Sequence, residues 1–245
     1  MKFLILTFLC LMSFISPPDF LSKQLQSPRV AKANQEKGKK VDKLLTSKKI
    51  DKTHFNLFLR AFKKEEKLEV WAKNLDASNY TLIKTYDFCT SSGKLGPKRR
   101  SGDLQIPEGF YKVTTFNPLS TYHLSFKINY PNKSDLHFAD KKNPGNDIYI
   151  HGECVTIGCI PLGNPNIEEL YLLAIRAHNT GGSINVHIFP ASLEEKSYQN
   201  LKESFKNEPD LLKFWANLKP VYNYFENKKT LPEIGVDSKG FYTVK

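Results

Sequence analysis

The amino-acid sequence predicts a mainly β protein, α+β overall: a β-sandwich-like core with flanking N- and C-terminal α-helices. Three observations predict it. Between residues 54 and 190, the runs "HFNLFLRAF", "KLEVWAKN", "YTLIKTYDF", "GFYKVTTF", "YHLSFKINY" and "NDIYIHG" are short, rich in aromatic and β-branched residues, and broken by Gly, Pro, Asn or Ser. Segments of that texture read as strands of an antiparallel sheet or sandwich. Ser27-Pro28 is a helix start, and Val41, Leu44 and Leu45 add a thin apolar stripe, so residues 28–47 read as a surface helix. After Ser192 the spacing of Leu211, Leu212, Trp215 and Leu218 marks the buried face of a pair of amphipathic helices, with Phe214, Tyr222, Tyr224 and Phe225 also read as core.

Taken in order, the chain opens with "MKFLILTFLCLMSFISPPDF", in which Lys2 precedes an apolar run from Phe3 to Ile15. That run is short for a membrane span and right for a secretory signal or an N-terminal anchor, so export to the periplasm or cell envelope is expected. The expected organisation is residues 1–20 as signal or anchor, 21–53 as a basic helical segment, 54–190 as the main domain and 191–245 as a helical extension. The formal net charge of +11 is concentrated early, with ten Lys or Arg between Lys23 and Lys52 against Glu36, Asp42 and Asp51. A solvated helix face explains such an arm, and no aromatic-basic interleaving or zinc-finger spacing points to nucleic acid. Residues 91–109, "SSGKLGPKRRSGDLQIPEG", must form a long loop, whose Lys98, Arg99 and Arg100 are candidate anion contacts. "NPNIEELYLLAIRAHNTGG" reads as a helix capped by Asn164 and stopped by Gly181-Gly182. "SINVHIFP" follows as a strand with Ile184, Val186 and Ile188 inward and His187 as an ordinary residue on the other side.

Chemistry concentrates in "DIYIHGECVTIGCIPLG", residues 147–163, which holds one histidine and two of the four cysteines. His151, Cys154 and Cys159 could ligate a soft metal, but their spacing matches no zinc pattern and a fourth ligand is lacking nearby. A Cys154–Cys159 disulfide is geometrically possible and would close only a tiny loop, so it would be reversible or regulatory rather than stabilising. A nucleophile fits best. A strand ending at His151-Gly152 and a seven-residue return to Cys159 would let imidazole and sulfur meet, the imidazole taking the thiol proton. Gly158 leaves room for a substrate carbonyl and lets the N–H groups around Cys159 face a developing oxyanion. Glu153 beside Cys154 disfavours a thiolate there, which leaves Cys159 as the attacking sulfur.

"IHGECVTIGCIPL", together with the upstream "FNPLSTYHLSFKINYPN" and "GKLGPKRRSGDLQIPEGFYKV", resembles the L,D-transpeptidase catalytic domain of the YkuD type, in its Gram-negative envelope branch. The resemblance spans roughly residues 54–190. It implies a cysteine that attacks the carbonyl of a diaminopimelate residue in a peptidoglycan peptide stem, an acyl-enzyme, and an amine acceptor or water to resolve it. The nucleophile falls on Cys159, the base on His151, and the main-chain carbonyl that holds the base in its tautomer on Gly152. No metal or organic cofactor is implied, and no nucleic acid; a wall-linked lipoprotein is a further possible partner. Two departures stand out: His151 and Cys159 are closer than is usual in the family, and Thr156-Ile157-Gly158-Cys159-Ile160-Pro161 replaces the family's Ser-His-Gly-Cys followed by Arg. Three functions compete on these residues: a peptidoglycan transpeptidase, an amidase or peptidase of the same site that uses water, and a non-enzymatic wall-binding module with structural cysteines.

Overall fold

The computed structural model describes residues 19–245; the apolar N-terminal run and Cys10, with the signal or anchor expected there, lie outside the described residues. Among the described residues no helix is long and apolar enough to cross a membrane. The chain runs through α1 (Phe20–Leu25) and α2 (Pro28–Ser47) into the meander β1 (Phe55–Phe62), β2 (Lys67–Asn74) and β3 (Thr81–Asp87). After the long loop come β4 (Gly109–Asn117), β5 (Ser125–Ile128), the short α3 (Lys133–Phe138), β6 (Ile148–His151) and the two-residue β7 (Ile160–Pro161). Then follow α4 (Asn164–Asn179), β8 (Asn185–Phe189), α5 (Glu195–Ser204), α6 (Pro209–Lys228) and a hairpin of β9 (Ile234–Val236) and β10 (Tyr242–Val244).

Eight strands form one mixed sheet in the order β3-β2-β1-β8-β4-β5-β6-β7. Within it, β1/β8 and β6/β7 are parallel. The hinge of the sheet is β4. Its first half pairs with β8, Gly109 opposite Ile188, and its second half with β5, Asn117 opposite Ser125. The two ends of the strand order nevertheless meet: just past β3, the Cys89 N–H donates to the Pro161 carbonyl of β7 at 2.9 Å. That closure decides where the cysteines lie.

Period-two alternation sends neighbouring side chains of β1 and β8 into different cores. Leu57, Leu59, Ala61, Val186 and Ile188 face the core shared with α2 and α4, so the inward alternation read in the last long strand holds. Phe62, Phe189, Trp215 and Leu218 pack together under α5 and α6, while Phe58, Trp71 and Phe225 make a smaller cluster beside them. Of the C-terminal aromatics read as core, Phe214, Trp215, Tyr222 and Phe225 are buried and Tyr224 is half-buried. Leu211 and Leu212 are half-buried as well. Arg60 lies 4 % exposed among these rings, 5.0 Å from both Phe62 and Phe225, with Glu69 and Glu226 as its ion pairs.

The helix expected at 28–47 forms with those bounds, but the Ser27 side chain caps nothing. Its stripe is deeper than the sequence implies, with Val30, Ala33, Val41 and Leu45 all buried. The basic arm stays largely exposed, but it is tied to α4 at three points: Lys37 pairs with Glu168 at 2.9 Å, Lys40 with Glu169 at 2.8 Å, and Asp42 with Arg176 at 2.6 Å. Arg29 donates to the Ser120 and His123 carbonyls.

Candidate active site

His151 ends β6, and the chain turns through residues 152–158 before Ile160 begins β7. The parallel ladder sets Ile150 opposite Ile160 and His151 opposite Pro161. One step back, Cys159 falls beside Tyr149, whose N–H donates to the sulfur at 3.4 Å. The register thus brings Cys159, in the bend just before β7, alongside the strand that ends at His151. No hydrogen bond joins the ring and the sulfur. Each is held separately: the Cys159 thiol by Tyr149, and His151 Nδ1 by the Gly152 carbonyl at 2.5 Å. With its Nδ1–H donated there, the ring keeps its lone pair on Nε2, the atom left to accept a proton.

The turn is fastened at four points. A side chain at Gly152 would place its Cβ 2.5 Å from Asn164 Oδ1 and 2.8 Å from the Tyr122 carbonyl, so only glycine fits. Asn164 is not the cap of α4, whose N-cap is Gly163; its amide instead clamps Glu153, accepting from the N–H and donating to the carboxylate, each at 2.8 Å. Thr156 is the third point: its hydroxyl accepts from the Gly158 N–H at 3.1 Å and the Cys159 N–H at 2.8 Å, and donates to the Cys159 carbonyl. The two N–H groups nominated for an oxyanion are thus both engaged by Thr156 in this structure. Gly158 itself has φ +135, and a Cβ there would meet the Gln105 carbonyl at 2.9 Å, so the long loop packs directly against the turn.

The fourth fastening corrects the sequence reading of the cysteines. Cys154 is bonded to Cys89, 65 residues away, and Cys159 is the free thiol among the described residues. A Cys154–Cys159 disulfide is therefore not formed, and the His151, Cys154, Cys159 metal set loses a member. The cause is the closure of the sheet, which brings Cys89 to Pro161 and hence to the turn.

Burial dominates the electrostatics. It pushes the Cys159 thiol above its ordinary value, against the downward pull of the Tyr149 N–H and the Lys98 ammonium. The same burial holds His151 below its ordinary value, with the Gly152 carbonyl acting in the other direction. The pair at rest is thus a neutral thiol and a neutral imidazole, not the ion pair expected from a thiolate lowered by its neighbour.

The three basic residues of the loop part company. Lys98 is 4 % exposed, salt-bridged to Asp103 at 2.6 Å, and near enough to Cys159 to act on its charge. Arg99 points elsewhere, between the rings of Phe138 and Phe214, and the Arg100 side chain is exposed. The loop is held over the site by a buried knot: Lys63 donates to the Gly96 and Ile106 carbonyls and pairs with Glu108 at 2.9 Å, and Glu108 accepts from Trp215 Nε1 at 2.7 Å. Tyr122, Tyr149 and Thr156 were not singled out by the sequence. The Tyr122 ring lies 4.7 Å from that of His151 and is 44 % exposed, a roof over the base. Only Thr156 carried a signal, because a hydroxyl two and three residues ahead of N–H groups is a turn-making pattern. His187 is ordinary in the expected sense: it is buried between Phe58 and Phe110, which drops its pKa to about 3.

Residues 61–179 match the family model described as the L,D-transpeptidase catalytic domain, YkuD. The chain is 34 % identical over 188 residues to YafK of Escherichia coli, named as an L,D-transpeptidase; the match covers 74 % of this chain and 70 % of YafK. Among solved structures, the helical cell shape determining protein Pgp2 from Campylobacter jejuni aligns with TM-score 0.45 and 19 % identity over 80 % of both chains. Bd1075 of Bdellovibrio bacteriovorus aligns with TM-score 0.40 and 21 % identity, covering 71 % of this chain and 61 % of that one. The family model and the match to YafK make this chain a member of the YkuD-type L,D-transpeptidase catalytic domain family.

Proposed function

We propose that the protein is a cysteine-dependent L,D-transpeptidase that remodels the cell wall by acting on peptidoglycan peptide stems, with Cys159 as nucleophile and His151 as base. The observation that carries this reading is a free thiol beside the strand that ends in an imidazole, the imidazole turned so that Nε2 is its basic atom. In the first half-reaction His151 takes the thiol proton as the sulfur attacks the carbonyl of the donor residue, a diaminopimelate in the stem. A C–S bond forms, the C–N bond breaks, and the departing amine leaves with the proton from His151. In the second, an acceptor amine gives its proton to His151 and attacks the thioester, forming the new amide and returning the thiol. The Gly152 carbonyl keeps the ring in the productive tautomer throughout. Stabilisation of the oxyanion by the Gly158 and Cys159 N–H groups requires the Thr156 hydroxyl to yield them to the substrate. Lys98, buried and paired with Asp103, acts in this reading only through its charge near Cys159; Arg99 and Arg100 have no part in this step. The setting is the periplasm, reached by the apolar N-terminal segment.

The test is incubation of the purified protein with disaccharide-peptide fragments of peptidoglycan and D-amino acids, with products read by mass spectrometry. Cross-linked or exchanged stems are expected, together with a mass gain on Cys159 from a carbapenem-like acylating agent. Cys159→Ala should lose turnover by about 10³-fold or more with its melting temperature little changed. Hydrolysed stems alone would make water the acceptor and end the transferase reading. An active, unlabelled Cys159→Ala would end the nucleophile assignment.

A further inference from the structure

The first turns of α6, with α3 and the turn between β9 and β10, line a cavity against Pro97 and Arg99 of the long loop. It has a volume of about 540 Å³, with apolar walls from Phe138, Leu211, Phe214 and Phe241, and Arg99 and Lys213 as its cations. Neither Cys159 nor His151 lines it. Arg99 is its unusual member. The guanidinium packs 5.2 Å from the centre of the Phe138 ring and 5.0 Å from that of Phe214, and it donates no hydrogen bond to any described residue. Asp135 is 3.9 Å away, beyond hydrogen-bond reach, and its carboxylate is already served by the Tyr111 hydroxyl and the Asn132 N–H. Lys213 lies 5.0 Å from the centre of the Phe241 ring and makes no ion pair among the described residues.

A guanidinium carries five N–H donors in a rigid plane, and the buried Nη1 of Arg99 is left without an acceptor, which is costly. Stacking between two rings fixes the plane of the fork before any ligand arrives. A fork held that way matches the two oxygens of a carboxylate, and the aromatic and aliphatic walls match an apolar body. Asp210 and Lys213 are exposed at its rim, so Arg99, with Asp135 no nearer than 3.9 Å, is the inner cation left for a ligand to pair with. The volume falls within the range of small-molecule sites.

We propose that this cavity binds a small amphipathic carboxylate, a single carboxylate on a branched or aromatic apolar body. Two sources share that chemistry: the C-terminal end of a peptide that finishes in an apolar residue, and a free short-chain fatty acid. The proposal concerns binding alone and does not depend on turnover at Cys159, so an empty cavity and an inactive thiol are separate results.

The experiment titrates the isotope-labelled full chain with N-acetyl-leucine and hexanoate, and with the uncharged N-acetyl-leucinamide and hexanamide, following the backbone amides of Leu211, Phe214 and Phe241 by NMR. Saturable shifts are expected with at least one acid, at least tenfold weaker with its amide. N-acetyl-leucine binding more tightly than hexanoate assigns a peptide end; the reverse assigns a free acid. Arg99→Gln should weaken acid binding at least tenfold. Leu211→Trp, which fills the cavity while leaving Arg99 in place, should block it, and this variant decides the matter should Arg99→Gln fail to fold. Equal binding of acid and amide, unchanged binding in the variants, or no saturable shift with either acid overturns the proposal.

Discussion

Two residues set the proposed chemistry, and burial governs both. Water stabilises charge, so withdrawing it raises the Cys159 thiol and lowers the His151 imidazolium. The sign has a measurable consequence. His151 stays neutral, and so basic, until the pH falls below its ordinary value of 6.5, which places the acid limb of the kcat/KM profile under that pH. On the alkaline side, the rate of iodoacetamide alkylation of Cys159 should climb only above the ordinary thiol value of 9.0. An acid limb above 6.5 would reverse the His151 assignment, and an alkylation midpoint near pH 6 would show the two as a preformed ion pair. Thr156 belongs at this scale too, because a single hydroxyl holds both N–H groups that flank the sulfur. A valine there would free them and unfasten the turn at once, which is why a threonine so close to the nucleophile was hard to value from its identity alone.

At the scale of elements, the decisive one is the turn between β6 and β7. It is too short to hold its own shape and borrows rigidity from three others: Asn164 of α4, Gln105 of the long loop, and Cys89 beyond β3. The Cys89–Cys154 bond closes a loop of 65 residues, for which chain entropy alone corresponds to about 4 kcal/mol. The Cys89→Ser, Cys154→Ser double variant should therefore unfold at a clearly lower urea concentration, and its turnover should fall further than its stability at assay temperature explains. Both cysteines are exposed, so reducing agent should reproduce the loss in the unmodified protein. An unchanged unfolding midpoint would mean the turn does not need the tether.

At the scale of the molecule, the C-terminal helices should unfold as one cooperative unit with the domain that precedes them. Glu108 shows why: with no exposed surface, it joins Lys63 at the end of β1, the Gly96 N–H in the loop and Trp215 of α6. Glu108→Ala leaves an ammonium buried without its counter-charge and two donors without an acceptor, a loss of about 3–5 kcal/mol in denaturant unfolding. Glu108→Gln keeps an acceptor and should lose less. Equal stability of the alanine variant and the parent would show the helices to be an independent appendage.

The sequence alone determined what depends on local pattern. Strands such as "KLEVWAKN", the helix 28–47, the long loop 91–109 and the inward alternation of Ile184, Val186 and Ile188 follow from periodicity, breakers and caps within a few residues. The short turn that returns the chain from β6 to β7, and so sets Cys159 next to the strand that ends at His151, follows from the same local pattern. Long-range closure was not. That β3 meets β7, that Cys89 reaches Cys154, that Lys63 finds Glu108, and that Arg99 turns away from Lys98 to lie between Phe138 and Phe214 are decided by how the sheet curls. Curl is a property of the whole ladder, set by the transfer of β4 from β8 to β5, and no short window of residues contains it.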